Sequence, residues 1–157
     1  MKKTLLFLLS LMVGVGLFGQ EKGDTGIQLK TDYPTIQDAV SGIMSILAQS
    51  AIAPEKVDKD MGMVNTTAIA TKSTATIQAY FLAYAQADTI FINVTGQGYA
   101  GININGIGDN PLQVTRKGQK GSILLTQWEA LEDLAIKIPH TEIRYLNPNP
   151  PTNKKRR

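Results

Sequence analysis

Residues Thr76 to Asn105 read TIQAYFLAYAQADTIFINVTGQGYAGININ, and the way this stretch folds decides what the chain can be. Within it Gly96, Gly98 and Gly101 are spaced GxGxxG. That pattern cradles a pyrophosphate when a strand feeds a glycine turn and the turn opens a helix. The strand half of the requirement is met: Thr89–Thr95 (TIFINVT) is rich in β-branched residues and bounded by Asp88 and Gly96. The helix half is not. Ala100–Asn105 alternates Ile and Asn with the period of a half-buried strand, and the glycines of GININGIG are poor helix formers. Positions 110–128 contain no Asp or Glu to meet a ribose. Nucleotide binding is therefore excluded, and Gly96, Gly98 and Gly101 are assigned to a turn between strands. Thr76–Ala87 fits either a helix or a buried strand, and its alanines favour helix.

Outward from this stretch, the clearest helix lies within residues 32–52. Ile36, Val40, Ile43 and Leu47 form one apolar stripe, Asp32 or Thr35 can cap its start, Pro34 fits the first turn, and Pro54 marks its end. Residues 53–72 hold no sustained period and read as a loop. Downstream, Leu112–Arg116 and Ser122–Thr126 read as short strands around a Lys117–Gly121 turn. Gln127–Leu131 reads as a helical turn, and Leu134–Ile138 and Glu142–Leu146 as further strands broken by Pro139. The expected fold is α+β and β-rich, an amphipathic helix followed by five to seven short strands in a single domain, residues 21–147.

Both ends carry a distinct chemistry. Residues 1–20 have the basic n-region (Lys2, Lys3), apolar core and small-residue junctions of a secretory signal peptide, with cleavage expected between Gly16 and Glu21. The apolar run is short against the ~20 residues that span a bilayer. The export this implies is periplasmic or extracellular. Residues 148–157 are proline-rich and end in Lys154, Lys155, Arg156 and Arg157, the composition of a disordered tail that can contact an anionic envelope surface. The whole chain carries +3, yet residues 21–153 hold ten basic residues against thirteen acidic, a net −3. A nucleic-acid partner needs basic residues spread over a folded face, so that class is excluded.

Residues 35–40 read TIQDAV and residues 76–81 read TIQAYF, and the second copy continues into ADTIFINVTGQGYAGININ. This resembles the opening of pectate-lyase-like right-handed parallel β-helix proteins, in which a TIQ-x-A helix caps the solenoid and a DTI strand, a G-x-Y turn and a second strand follow. The matching positions are Thr76, Ile77, Gln78, Ala79, Asp88, Thr89, Ile90, Gly98 and Tyr99. The resemblance implies, as an alternative, a short right-handed parallel β-helix with a helical cap, either carbohydrate-binding or enzyme-like and acting on polysaccharide. Leu112–Arg116 and Ser122–Leu125 would be its next strands. The acidic and basic residues that act in such enzymes lie on later coils, beyond this match.

Catalytic chemistry finds few candidates. The chain has no cysteine, so thiol nucleophiles and thiolate metal sites are absent. His140 stands alone, and no GxSxG offers a serine nucleophile. Glu129, Glu132 and Asp133 lie at helical spacings and read as a solvated face rather than an acid–base pair. Asp58-Lys59-Asp60-Met61-Gly62 has two acidic positions of a calcium loop but lacks the third and the closing Glu. No catalytic residue, metal or cofactor is identified. Sugars stack on aromatic faces, so Tyr80, Tyr84, Tyr99 and Trp128 are the ligand-binding candidates. The expected function is non-catalytic binding or a structural role at the bacterial cell envelope.

Overall fold

In the computed structural model, which describes residues 23–99 and 111–148, the elements run in the order β1 (Gly26–Thr31), α1 (Ile36–Gln49), β2 (Pro54–Asp58), β3 (Met63–Thr66), β4 (Ile69–Ala70), β5 (Thr76–Gln86), β6 (Thr89–Tyr99), β7 (Leu112–Gln113), α2 (Ile123–Ala135) and β8 (Glu142–Leu146). The expected signal segment, the expected strand at Ala100–Asn105, Gly101 and residues 149–157 of the basic tail lie outside the described residues. The strands form one open sheet in the order β2-β3-β5-β6-β1-β8, with β4 beside β5 and β7 beside β6. Every pairing among the described residues is antiparallel. The parallel coil implied by the β-helix resemblance is therefore not formed. Parallel neighbours need a long crossover, whereas β5 and β6 are joined by only Ala87 and Asp88.

Residues 76–86 are a strand, not the helix their alanines suggested. Ile77, Ala79, Phe81 and Ala83 alternate onto one buried face and Gln78, Tyr80, Leu82 and Tyr84 onto the other, a period of two from Thr76 to Tyr84. The alanines answer to packing rather than helix propensity, because both helices press on that face and small side chains let them approach. The β5–β6 ladder then runs unbroken from Thr76↔Tyr99 to Gln86↔Thr89. Among the described residues the eight strands exceed the expected five to seven, because residues 53–72, expected as loop, supply β2, β3 and β4, and β1 forms at Gly26–Thr31, where no element was expected. The acidic Asp58–Gly62 run is the β2–β3 turn: Asp58 Oδ1 accepts from the Met61 N–H at 2.9 Å, and Gly62 supplies a φ of +68°.

α1 lies within the expected span. Thr35 caps it by accepting from the Asp38 N–H at 3.1 Å, and Ala39, Val40, Ile43 and Leu47 are buried against the sheet. α2 replaces two expected strands, Ser122–Thr126 and Leu134–Ile138. Ser122 caps it through the Leu125 N–H, and Trp128, Leu131, Leu134 and Ala135 make its buried stripe. The local β-branched and leucine content of SILLT pointed to strand, and the longer helical stripe outweighs it because it buries more apolar surface.

Gly96 and Gly98 are not turn residues. Both sit inside β6, on the face beneath α2. A Cβ on Gly96 would meet Leu131 Cδ1 and Val114 Cγ2 at 3.3 Å. A Cβ on Gly98 would lie 2.5 Å from the Gln127 side-chain amide. That amide is buried and donates to the backbone carbonyls of Thr76 (3.2 Å) and Tyr99 (3.3 Å). The glycines make room for a helix over the strand, which is the use of strand glycine where another element approaches closely.

Candidate functional site

With both helices on one face, β5 and β6 turn their remaining side chains to the other. Alternation places Phe91, Asn93, Thr95, Gln97 and Tyr99 of β6 beside Gln78, Tyr80, Leu82 and Tyr84 of β5. Cross-strand registers extend this helix-free face into rows. One row runs Gln28, Asn93, Leu82, Met63 and the next runs Thr95, Tyr80, Asn65. Three of the four expected ligand-binding residues, Tyr80, Tyr84 and Tyr99, share this face.

Trp128 does not. It lies in the buried stripe of α2, 1% exposed, with its ring 6.2 Å from that of Tyr145. Its place in the helical period of Leu131 and Ala135 makes it a core residue, so its ring is not available to a ligand on the sheet. The basic residues Lys154, Lys155, Arg156 and Arg157 lie outside the described residues.

Side-chain hydrogen bonds hold the tyrosine rings along the sheet. The Tyr80 hydroxyl lies 2.8 Å from Gln78 Oε1 and 2.9 Å from Gln97 Oε1, one rung away along the strands. Gln78 Nε2 in turn donates to Glu55 on β2, and the Tyr99 hydroxyl lies 3.4 Å from Gln78 Oε1. At the other end Tyr84 stacks on Phe91, with centroids 5.9 Å apart and planes 23° apart. The Tyr84 hydroxyl accepts from Gln28 Nε2 at 2.7 Å. Partial burial, with Tyr99 and Glu55 nearby, raises the Tyr80 phenol above its ordinary 10.0, so it stays neutral at physiological pH.

Charge on this face is confined to the flanks. Glu55 and Lys56 sit on β2, while Glu142 and Arg144 form a 2.7 Å ion pair on β8 beside Lys30. Between them lies a shallow hollow of about 340 Å³ with an uncharged lining that includes Met63, Asn65, Tyr80, Leu82, Asn93 and Thr95. Leu82 is 41% exposed at its base, high for so large an apolar side chain at the centre of a sheet.

Of the helical carboxylates noted in the sequence, Glu132 is set apart from Glu129 and Asp133. Glu132 accepts from the Tyr145 hydroxyl at 2.5 Å, whereas Glu129 and Asp133 are exposed along a separate cleft with Lys72 and Lys137. His140 Nδ1 lies 2.7 Å from the Ile138 carbonyl oxygen. Among the described residues no group of three or more His, Cys, Asp or Glu is placed to hold a metal ion.

The amide side chains Gln28, Asn65, Gln78, Asn93 and Gln97, which share this face, were not among the candidates read from the sequence. Their signal was available: FINVTGQGY alternates through Tyr99 just as GININ does, and continuing the period past Gly96 puts Asn93, Gln97 and Tyr99 on one face. Neither a scan against protein-family models nor a search of curated proteins finds a match to the chain.

Proposed function

We propose that this chain is an exported, non-catalytic binding protein of the bacterial cell envelope, and that the helix-free face of its sheet is the binding surface. The observation that carries the reading is the gathering of Tyr80, Tyr84, Tyr99 and Phe91 with five amide side chains on one face. Rings contribute flat apolar area at low cost in conformational entropy, and amides contribute paired donors and acceptors. The hydrogen bonds among them lock the rings before a ligand arrives, which lowers the ordering cost of binding. Export rests on the n-region and apolar core of residues 1–20. The cationic end, Lys154 to Arg157, adds a salt-sensitive attachment to an anionic envelope surface.

Cosedimentation with isolated bacterial envelope tests both parts when the chain is expressed with its own leader. Protein recovered in the envelope-bound fraction should have lost the residues before a junction between Gly16 and Glu21, as read by intact mass. Leu82→Asp places a charge at an exposed position, leaves the core untouched, and should reduce cosedimentation at least about tenfold. Truncation before residue 148 should remove only the part of the binding that high salt also removes. Equal cosedimentation of wild type and Leu82→Asp would refute the binding face, and recovery of a chain still beginning at Met1 would refute processing.

A further inference from the structure

We infer that the hollow at the centre of the helix-free face takes a neutral pyranose unit of a polysaccharide, an assignment that rests on the reading of that face as the binding surface. A pyranose has an apolar C–H side and an equatorial fringe of hydroxyls that both donate and accept. The hollow offers the complement of each. Leu82, Met63 and Tyr80 supply its apolar lining. The Tyr80 hydroxyl lies within hydrogen-bond distance of Gln78 and Gln97, which holds a half-buried ring that lines the hollow and that a sugar could stack on.

The polar groups of the lining remain available for a ligand. Among the described residues the side chains of Asn65 and Thr95 make no hydrogen bond, and Asn93 takes part only in a long contact, its Oδ1 3.5 Å from the Tyr84 hydroxyl. Each amide presents a donor and an acceptor about as far apart as two neighbouring hydroxyls of a sugar. A buried face satisfies such groups internally, whereas these three point at one space.

Charge and size narrow the class. The lining contains no Lys, Arg, Asp or Glu, and the cation beside it, Lys56 across from Asn65, is exposed next to Glu55, so a uronate or phosphate would lose hydration for little counter-charge. A neutral sugar pays no such cost. About 340 Å³ is near the lower end of ligand sites, which suits one ring of a chain that continues over neighbouring rungs. The stacked Tyr84–Phe91 pair flanks the hollow on one side and the Gln78–Gln97–Tyr99 group on the other.

The test is an NMR titration of the folded, isotope-labelled protein with neutral pentasaccharides of glucose, mannose and N-acetylglucosamine, and with an oligogalacturonate as the charged counterpart. At least one neutral series should bind saturably and shift backbone amides of residues 63–65, 80–82 and 93–95. The uronate should bind at least about tenfold more weakly. Asn65→Ala removes a side chain with no intramolecular hydrogen bond, so it should leave the unfolding midpoint unchanged. It should weaken sugar binding about fivefold, the loss of one net hydrogen bond. Shifts confined to other parts of the fold, tighter binding of the uronate, or no response to any neutral series would each overturn the assignment. If the sugars fail while envelope cosedimentation still depends on Leu82, the binding face stands and the ligand class falls. If both fail, the face itself is lost.

Discussion

Gly98 has the least room of the strand glycines, because the Gln127 amide occupies the volume a side chain would need. Gly98→Ala must expel that amide from its bonds to Thr76 and Tyr99, and should cost about 2 kcal/mol in urea unfolding, part overpacking and part lost hydrogen bonding. Gln127→Ala should cost about 1–2 kcal/mol through the same bonds. The double variant should cost clearly less than the sum, since the second change removes the clash created by the first. Strict additivity would show that the two side chains do not compete for one space. Two of the three glycines of the GxGxxG spacing, Gly96 and Gly98, thus have a physical reading unrelated to phosphate. Position 98 has no room for a Cβ because the Gln127 side chain of the overlying helix fills it, and position 96 has little, with Leu131 and Val114 at 3.3 Å.

The β5–β6 hairpin is the longest pairing in the sheet and it turns on a residue poorly suited to the task. Ala87 holds a φ of +51°, a left-handed conformation that costs a Cβ-bearing residue about 1–2 kcal/mol. Ala87→Gly should raise stability by roughly 0.5–1 kcal/mol, net of the greater chain entropy of glycine, as a higher urea midpoint at unchanged slope. A lower midpoint would mean that the turn gains nothing from relief of φ. Element type was legible where period and propensity agreed, as in α1 with its Thr35 cap and its Val40–Ile43–Leu47 stripe. It was misread where they disagreed. In β5 the alanines favour helix, and Ile77-Ala79-Phe81-Ala83 shows the true period. In α2 the ILL run favours strand, and Trp128-Leu131-Leu134-Ala135 shows the helix. In both segments the period of burial prevailed over local propensity, because packing against the rest of the molecule contributes more than intrinsic preference.

At the scale of the whole molecule, an open sheet leaves two edges, and β2 is defended in its sequence. Pro54 lacks a backbone donor, Glu55 and Lys56 are charged and exposed, and the register shifts between Pro54 and Lys56. Replacing Pro54 and Lys56 together with Val should straighten this edge into a pairing template. Sedimentation velocity should then show more self-association than the wild type at equal concentration, and an unchanged distribution would mean that the edge is protected some other way. The other edge strand, β8, is five residues long and carries the Glu142–Arg144 pair. The helix-free face is a surface of a different kind, with its charge at the flanks and its rings and amides at the centre.

The sequence by itself determined the chemistry available to this protein: no thiol, one histidine, a body of slight negative charge, and tyrosines in a strand-forming half. It also determined α1 and the strands Thr89–Thr95 and Glu142–Leu146, where a local pattern and its bounding residues suffice. Tertiary structure alone decided which face each side chain occupies. Tyr80 and Tyr84 meet Asn93 and Gln97 only because β5 and β6 pair in one register, and Trp128 is lost to the core only because α2 lies over β6. A one-residue slip in that register would exchange the two faces of the sheet, so the site is set by long-range pairing that short windows of sequence do not contain.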